Sequence, residues 1–109
     1  MTAVIRWKSP EAGGRKSPPG PHYRTVVHFA SDPRWPQEAW TLTVTPRWLS
    51  PGGEVMVADV KLLADTAPHH FLVPGAKFEL LEGTRSVAAG VVMLSEGTLN
   101  EIEQLAEAI

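Results

Sequence analysis

The chain has 109 residues, 43% hydrophobic and 20% charged, with a formal net charge of −2, which fits one domain around one core. It contains no cysteine, so disulfides, thiolate catalysis and thiolate metal sites are excluded. Its apolar runs fall far short of the roughly 18 residues needed to span a bilayer, and its start lacks the apolar stretch of a signal peptide, so a cytoplasmic protein is expected.

The first expected strand is Ala3 to Trp7, with Val4 and Ile5 at its centre. Ser9 to Pro21 is rich in Gly, Pro, Ser and Lys and reads as a long surface loop of the kind that often carries function. Tyr23 to Ala30 is a second strand, broken by Asp32-Pro33-Arg34-Trp35-Pro36. Trp40 to Thr45 alternates Trp40, Leu42 and Val44 with threonines, the period of a half-buried strand that Pro46 is expected to end. Ser50-Pro51-Gly52-Gly53 is a turn, because proline presets φ and glycine permits positive φ.

Glu54 to Leu63 follows as a longer strand, placing Met56, Ala58, Val60 and Leu62 on one face. Val73-Pro74-Gly75 marks another turn before the alternating strand Lys77 to Glu82. Ser86 to Leu94 is a nearly continuous apolar strand in which Gly90 is expected to mark a bend or bulge. Six short strands without intervening helices predict an all-β fold, a small antiparallel closed barrel or sandwich. The tail differs. Thr98 and Glu101 form a capping-box pattern, and Leu99, Ile102, Leu105, Ala106 and Ile109 fall on one face of a short helix. A helix of about a dozen residues must dock to persist, and its own barrel is the expected surface.

Charge is uneven. Residues 1–24 carry five basic side chains and one acidic, whereas residues 25–109 carry five basic and eleven acidic. A basic start can attract phosphate, although a solvated loop with a few surface charges is the plainer reading. The pair His69-His70 has only Asp65 nearby as a further ligand, so no metal site is expected. No nucleophile elbow and no catalytic carboxylate spacing occurs, and no enzymatic role or cofactor is expected. Trp35 beside Arg34, and Trp48 beside Arg47, are read as lying in or beside loops. Each is either a plug at a barrel end or an interface anchor.

Two distant segments carry a resemblance. The first is Gly13-Gly14-Arg15-Lys16-Ser17-Pro18, with Tyr23-Arg24 and Phe29 following. The second is Phe78-Glu79-Leu80, then Glu82-Gly83-Thr84-Arg85-Ser86-Val87 and Gly90-Val91-Val92, with the Pro51-Gly52 turn between the two. In this order and spacing they resemble the C-terminal β-barrel domain (domain III) of the translation elongation factor Tu family, from about Val4 to Met93. The resemblance implies a six-stranded antiparallel closed barrel over residues 1–95, with residues 96–109 forming an added amphipathic helix. The family's barrel holds the T-stem of aminoacyl-tRNA through its sugar-phosphate backbone and also contacts its GTPase domain and other proteins. By motif position, Arg15, Lys16, Ser17, Glu82 and Gly83 are the residues that would inherit nucleic-acid contacts. The chain departs from the family at Thr25-Val26, Thr84 and Ala88. It also has no Gly-x-x-x-x-Gly-Lys-Ser/Thr phosphate loop, so no nucleotide is expected.

The expectation is therefore a non-catalytic, stand-alone barrel that recognises a protein partner through Arg15, Arg85, Trp35 and Trp48, with the C-terminal helix as a further contact. The alternative is binding of tRNA or other RNA by backbone contacts from Arg6, Lys8, Arg15, Lys16 and Arg24. A barrel serving only to hold a homo-oligomer is a third possibility.

Overall fold

A computed structural model describes residues 1–94 and 98–109. Six strands, β1 (Thr2–Trp7), β2 (Tyr23–Phe29), β3 (Trp40–Leu49), β4 (Val55–Leu62), β5 (Lys77–Glu82) and β6 (Arg85–Val92), are followed by one helix, α1 (Leu99–Ala108). The strands close into an antiparallel barrel in the order β1-β4-β3-β2-β5-β6. The fold expected from strand spacing is the fold observed. No helix is long and apolar enough to cross a membrane among the described residues. The boundary drawn between residues 95 and 96 lies outside the described residues.

Period-two alternation fills the interior. Ala3, Ile5 and Trp7 from β1 meet Val27, Phe29, Leu42, Val44, Met56, Ala58, Val60, Phe78 and Leu80 in one buried cluster. Around the closed ring β1 lies opposite β2, and β4 lies opposite β5. Segment 8–22 therefore has to cross one end of the barrel, and segment 63–76 the other. The remaining connections are hairpins between ring neighbours. Segment 8–22 shares its end with the β3–β4 turn and the tight β5–β6 turn at Gly83-Thr84, so both glycine-arginine bends sit at one mouth.

Two sequence expectations are corrected. Pro46 does not end β3. It sits at a bulge where the register shifts between Pro46 and Trp48, and an interrupted ladder tolerates the missing N–H. The strand runs on to Leu49, so Trp48 lies within the strand, beside the β3–β4 turn. Gly90 marks no bulge. It pairs in register with Ile5 and Phe78, and a β-carbon there would lie 2.4 Å from Phe78 Cζ. Glycine is needed to make room for that ring, and the bulge in this hairpin lies instead between Leu80 and Leu81.

Helix α1 forms as its cap predicts, with the Thr98 hydroxyl accepting from the Glu101 N–H at 3.2 Å. It docks on its own barrel. Ile102, Leu105, Ala106 and Ile109 pack over Val4, Val57, Val91 and Met93 on the outer wall. Leu99, expected on the same face, is 67% exposed.

Candidate interaction site at the barrel mouth

The crossing segment is shaped by local signals. Ser9 caps a short 3-10 turn at Pro10–Ala12, accepting from the Ala12 N–H, and Gly13 closes it at φ 93°. Gly14 then donates to the Ser9 carbonyl at 2.8 Å. A β-carbon on Gly14 would lie 1.9 Å from the Lys8 carbonyl oxygen, so only glycine permits this close backbone approach. The Ser-Pro start and Gly-Gly end signal this turn in the sequence, within a segment whose composition predicts only a surface loop.

The tight turn brings Arg15 to the β5–β6 hairpin. Its Nη1 donates to Glu82 Oε2 at 2.6 Å, and Tyr23 Oη donates to the same oxygen at 2.5 Å. Arg15 Nε also donates to the Ser17 carbonyl at 3.2 Å, and its guanidinium carbon lies 5.0 Å from the centre of the Tyr23 ring. Arg85 Nη2 approaches Glu82 Oε1 at 3.6 Å. Gly83, at φ 65°, allows the tight hairpin that presents Glu82 and Arg85. One carboxylate thus ties together the crossing segment, the start of β2 and the β5–β6 turn.

Electrostatics follow from this geometry. Burial, reinforced by the hydrogen bond to Glu82, pushes the Tyr23 hydroxyl up to about 12. Burial alone would raise the Glu82 carboxyl, but hydrogen bonds from Tyr23 and Arg15 and the charges of Arg15 and Arg85 outweigh it and hold Glu82 below its usual range. The hydrogen bond to Glu82 raises Arg15 further above its already high value, against the opposing effect of burial. Tyr23 also stands edge-on to Trp7, with ring centres 5.7 Å apart, which links the cluster to the core.

The structure brings together Arg15, Ser17, Glu82, Gly83 and Arg85. It engages the Arg15 fork internally, which leaves Arg85 and Lys16 as the more open cations. Lys8 and Lys16 are exposed and have no ion pair among the described residues. Together with Arg6, Arg15, Gly52 and Glu54 they line a groove of about 450 Å3. Arg6 is committed elsewhere. Its Nε and Nη2 donate to the Ala106 carbonyl at 3.0 and 2.7 Å, and its Nη1 pairs with Glu54 at 3.3 Å.

The two tryptophans do not share a surface. Trp35 is at the opposite end, in the β2–β3 connection, stacked on His28 with ring centres 4.5 Å apart. Trp48 stands on the outer wall near the mouth, paired in register with Val57. It is 45% exposed, and the neighbouring Leu49 is 40% exposed. Arg47, at the bulge, pairs with Asp59. The His69 ring meets the Asp65 backbone carbonyl at 3.2 Å and not its carboxylate. No three metal-ligating side chains gather among the described residues. The sequence matches no known family model, and it matches no curated protein.

Proposed function

We propose that the chain is a non-catalytic protein-binding module, a barrel of the elongation-factor-Tu type, whose contact surface centres on Trp48 and the adjoining mouth. The observation that carries this reading is the exposure of Trp48 on the outer wall at the end of β3, next to the mouth. Large aromatic side chains at a partly wet surface are the usual anchors of protein interfaces. Arg85 and Lys16 supply charge at the rim. Arg15 acts as the internal tie that shapes the mouth.

A photo-crosslinking residue at position 48 of the full chain, compared with one at position 35, tests the reading. The expected result is one discrete adduct at 48 that is competed by unlabelled wild-type chain but not by Trp48→Ser. Equal adducts at both positions, or none at 48, would overturn it.

A second reading is favoured by Lys8 and Lys16 beside the groove, which have no ion pair among the described residues: contact with an RNA sugar-phosphate backbone. Such binding weakens steeply with salt because counterions are released. Titration of labelled tRNA at low and moderate salt separates the two. The protein-binding reading expects no binding at low salt, and salt-dependent binding lost in Lys8→Ala/Lys16→Ala would establish the RNA reading.

A further inference from the structure

We infer that the groove beside the barrel mouth receives an extended acidic segment of the partner protein, with one carboxylate set between Lys8 and Lys16 and an apolar side chain of the same segment on Trp48. The inference deepens the protein-binding reading and rests on it, because it names the chemistry of the segment that is bound.

Three parts of the chain form the groove. Arg6, Trp7 and Lys8 come from the end of β1, Arg15 to Pro18 from the crossing segment, and Gly52 to Glu54 from the β3–β4 turn. A β-carbon on Gly53 would lie 3.4 Å from Pro18 Cγ, so the turn and the crossing segment meet at the groove's edge.

The charges of the wall do not cancel. Arg6, Lys8, Arg15 and Lys16 line it, with Glu54 as its acid. Arg6 is matched by Glu54 at 3.3 Å and Arg15 by Glu82 at 2.6 Å. Lys8 and Lys16 are exposed and have no ion pair among the described residues. Glu11, in the neighbouring 3-10 turn, is not part of the wall. Two unmatched positive charges therefore face one groove on a chain whose formal net charge is −2. Hydrogen bonding has the same bias. Trp7, on this wall, is 7% exposed, and its indole N–H has no acceptor among the described residues. A wall with surplus donors and positive charge is complemented by an ionised carboxylate, which only accepts.

Strand geometry sets the spacing of the two anchors. Glu54 lies on the groove wall, and Val57, three residues further on, pairs in register with Trp48. At roughly 3.3 Å per residue, the groove and Trp48 stand about 10 Å apart along β4. An extended partner segment covers that distance in about three residues, so its acidic and apolar positions are i and i+3. One carboxylate suits two lysines better than a polyanion does. Beyond the groove a polyanion meets residues 25–109, which carry five basic and eleven acidic side chains.

The test titrates the full nitrogen-15-labelled chain with an acetylated, amidated octapeptide in which leucine follows glutamate by three positions in a glycine, serine and threonine background. One control peptide has glutamine in place of glutamate, and another has leucine directly after glutamate. The first peptide should shift the Lys8 and Lys16 amides and the Trp48 indole together. It should bind at least roughly tenfold more tightly than the glutamine control, the scale of a charge-assisted contact against a neutral one. The control with adjacent residues should bind more weakly as well. Lys8→Ala/Lys16→Ala, with native circular dichroism as the check on folding, should abolish the preference for glutamate. Lys77→Ala, at the far end of β5, should leave it intact.

Equal affinity for the glutamate and glutamine peptides, a preference that survives Lys8→Ala/Lys16→Ala, or no saturable shift with any peptide would overturn the inference. Labelled tRNA that displaces the glutamate peptide at moderate salt would overturn the acidic segment in favour of RNA. A position-48 adduct that forms equally well in Lys8→Ala/Lys16→Ala removes the acidic segment and leaves the protein-binding reading standing. Absence of that adduct in the wild-type chain removes the protein-binding reading, and the inference falls with it.

Discussion

Replacing Glu82 by glutamine preserves the shape of the side chain and removes its charge, which isolates the tie at the barrel mouth. Glu82 Oε2 accepts from Arg15 at 2.6 Å and from Tyr23 at 2.5 Å, and the Arg15 and Glu82 side chains are only 30% and 28% exposed. Hydrogen bonds to a charged group contribute about 1.5–3 kcal/mol, and glutamine retains a weaker acceptor, so a net loss of about 2 kcal/mol is expected. At roughly 2.1 cal/mol/K per residue the unfolding entropy of this chain is about 0.23 kcal/mol/K, which converts that loss to about 9 °C in Tm.

A double-mutant cycle with Arg15→Met, read by urea unfolding at neutral pH, should give a coupling of about 1 kcal/mol or more. Coupling below about 0.3 kcal/mol, the error of simple additivity, would refute the tie. The pH dependence has a definite sign. Glu82 is held below its ordinary 4.5 when folded, so its contribution is present above that pH and is lost as pH falls through the depressed value. The stability gap between wild type and Glu82→Gln should therefore narrow below pH 4.5.

Tyr23 is the single tyrosine, so phenolate absorbance reports it alone. Its midpoint should lie at about 12 and move down toward 10 in Glu82→Gln; a wild-type midpoint at 10 with native circular dichroism would contradict the cluster. Gly90→Ala should cost about 1–3 kcal/mol by overpacking against Phe78, and the penalty should shrink in a Phe78→Leu background, whereas an equal penalty in both would remove the steric explanation. Arg6→Met should lower amide protection in α1 roughly tenfold while barrel amides stay protected, and uniform loss across the chain would show that Arg6 serves the barrel as a whole.

Strand periodicity was legible wherever alternation met turn chemistry. Lys77 to Glu82 was read to the residue, and Thr98 with Glu101 located the helix start. Pro46 misled because a proline forbids a regular ladder position but not a bulge, and bulges depend on the partner strand. Gly90 misled for a related reason: the ring of Phe78, twelve positions away in sequence, decides why no β-carbon fits. Side-chain partnership at the mouth was harder still. Arg15 and Glu82 were both picked out, yet their mutual contact depends on the crossing of 8–22 over the barrel end, which follows from strand order and not from local pattern. Val4, Val57 and Val91 read as ordinary strand residues, because nothing local says which apolar face a distant helix will cover.

The most direct measurement is nitrogen-15 NMR of the arginine side chains at neutral pH. A guanidinium tied between Glu82, Tyr23 and the Ser17 carbonyl should show slow Nε–H exchange and hindered rotation at Arg15, unlike the exposed Arg24, and both features should collapse in Glu82→Gln. Fast, averaged Arg15 signals indistinguishable from those of Arg24 in the wild-type chain would contradict the account, because the crossing segment would then not be fastened to the mouth.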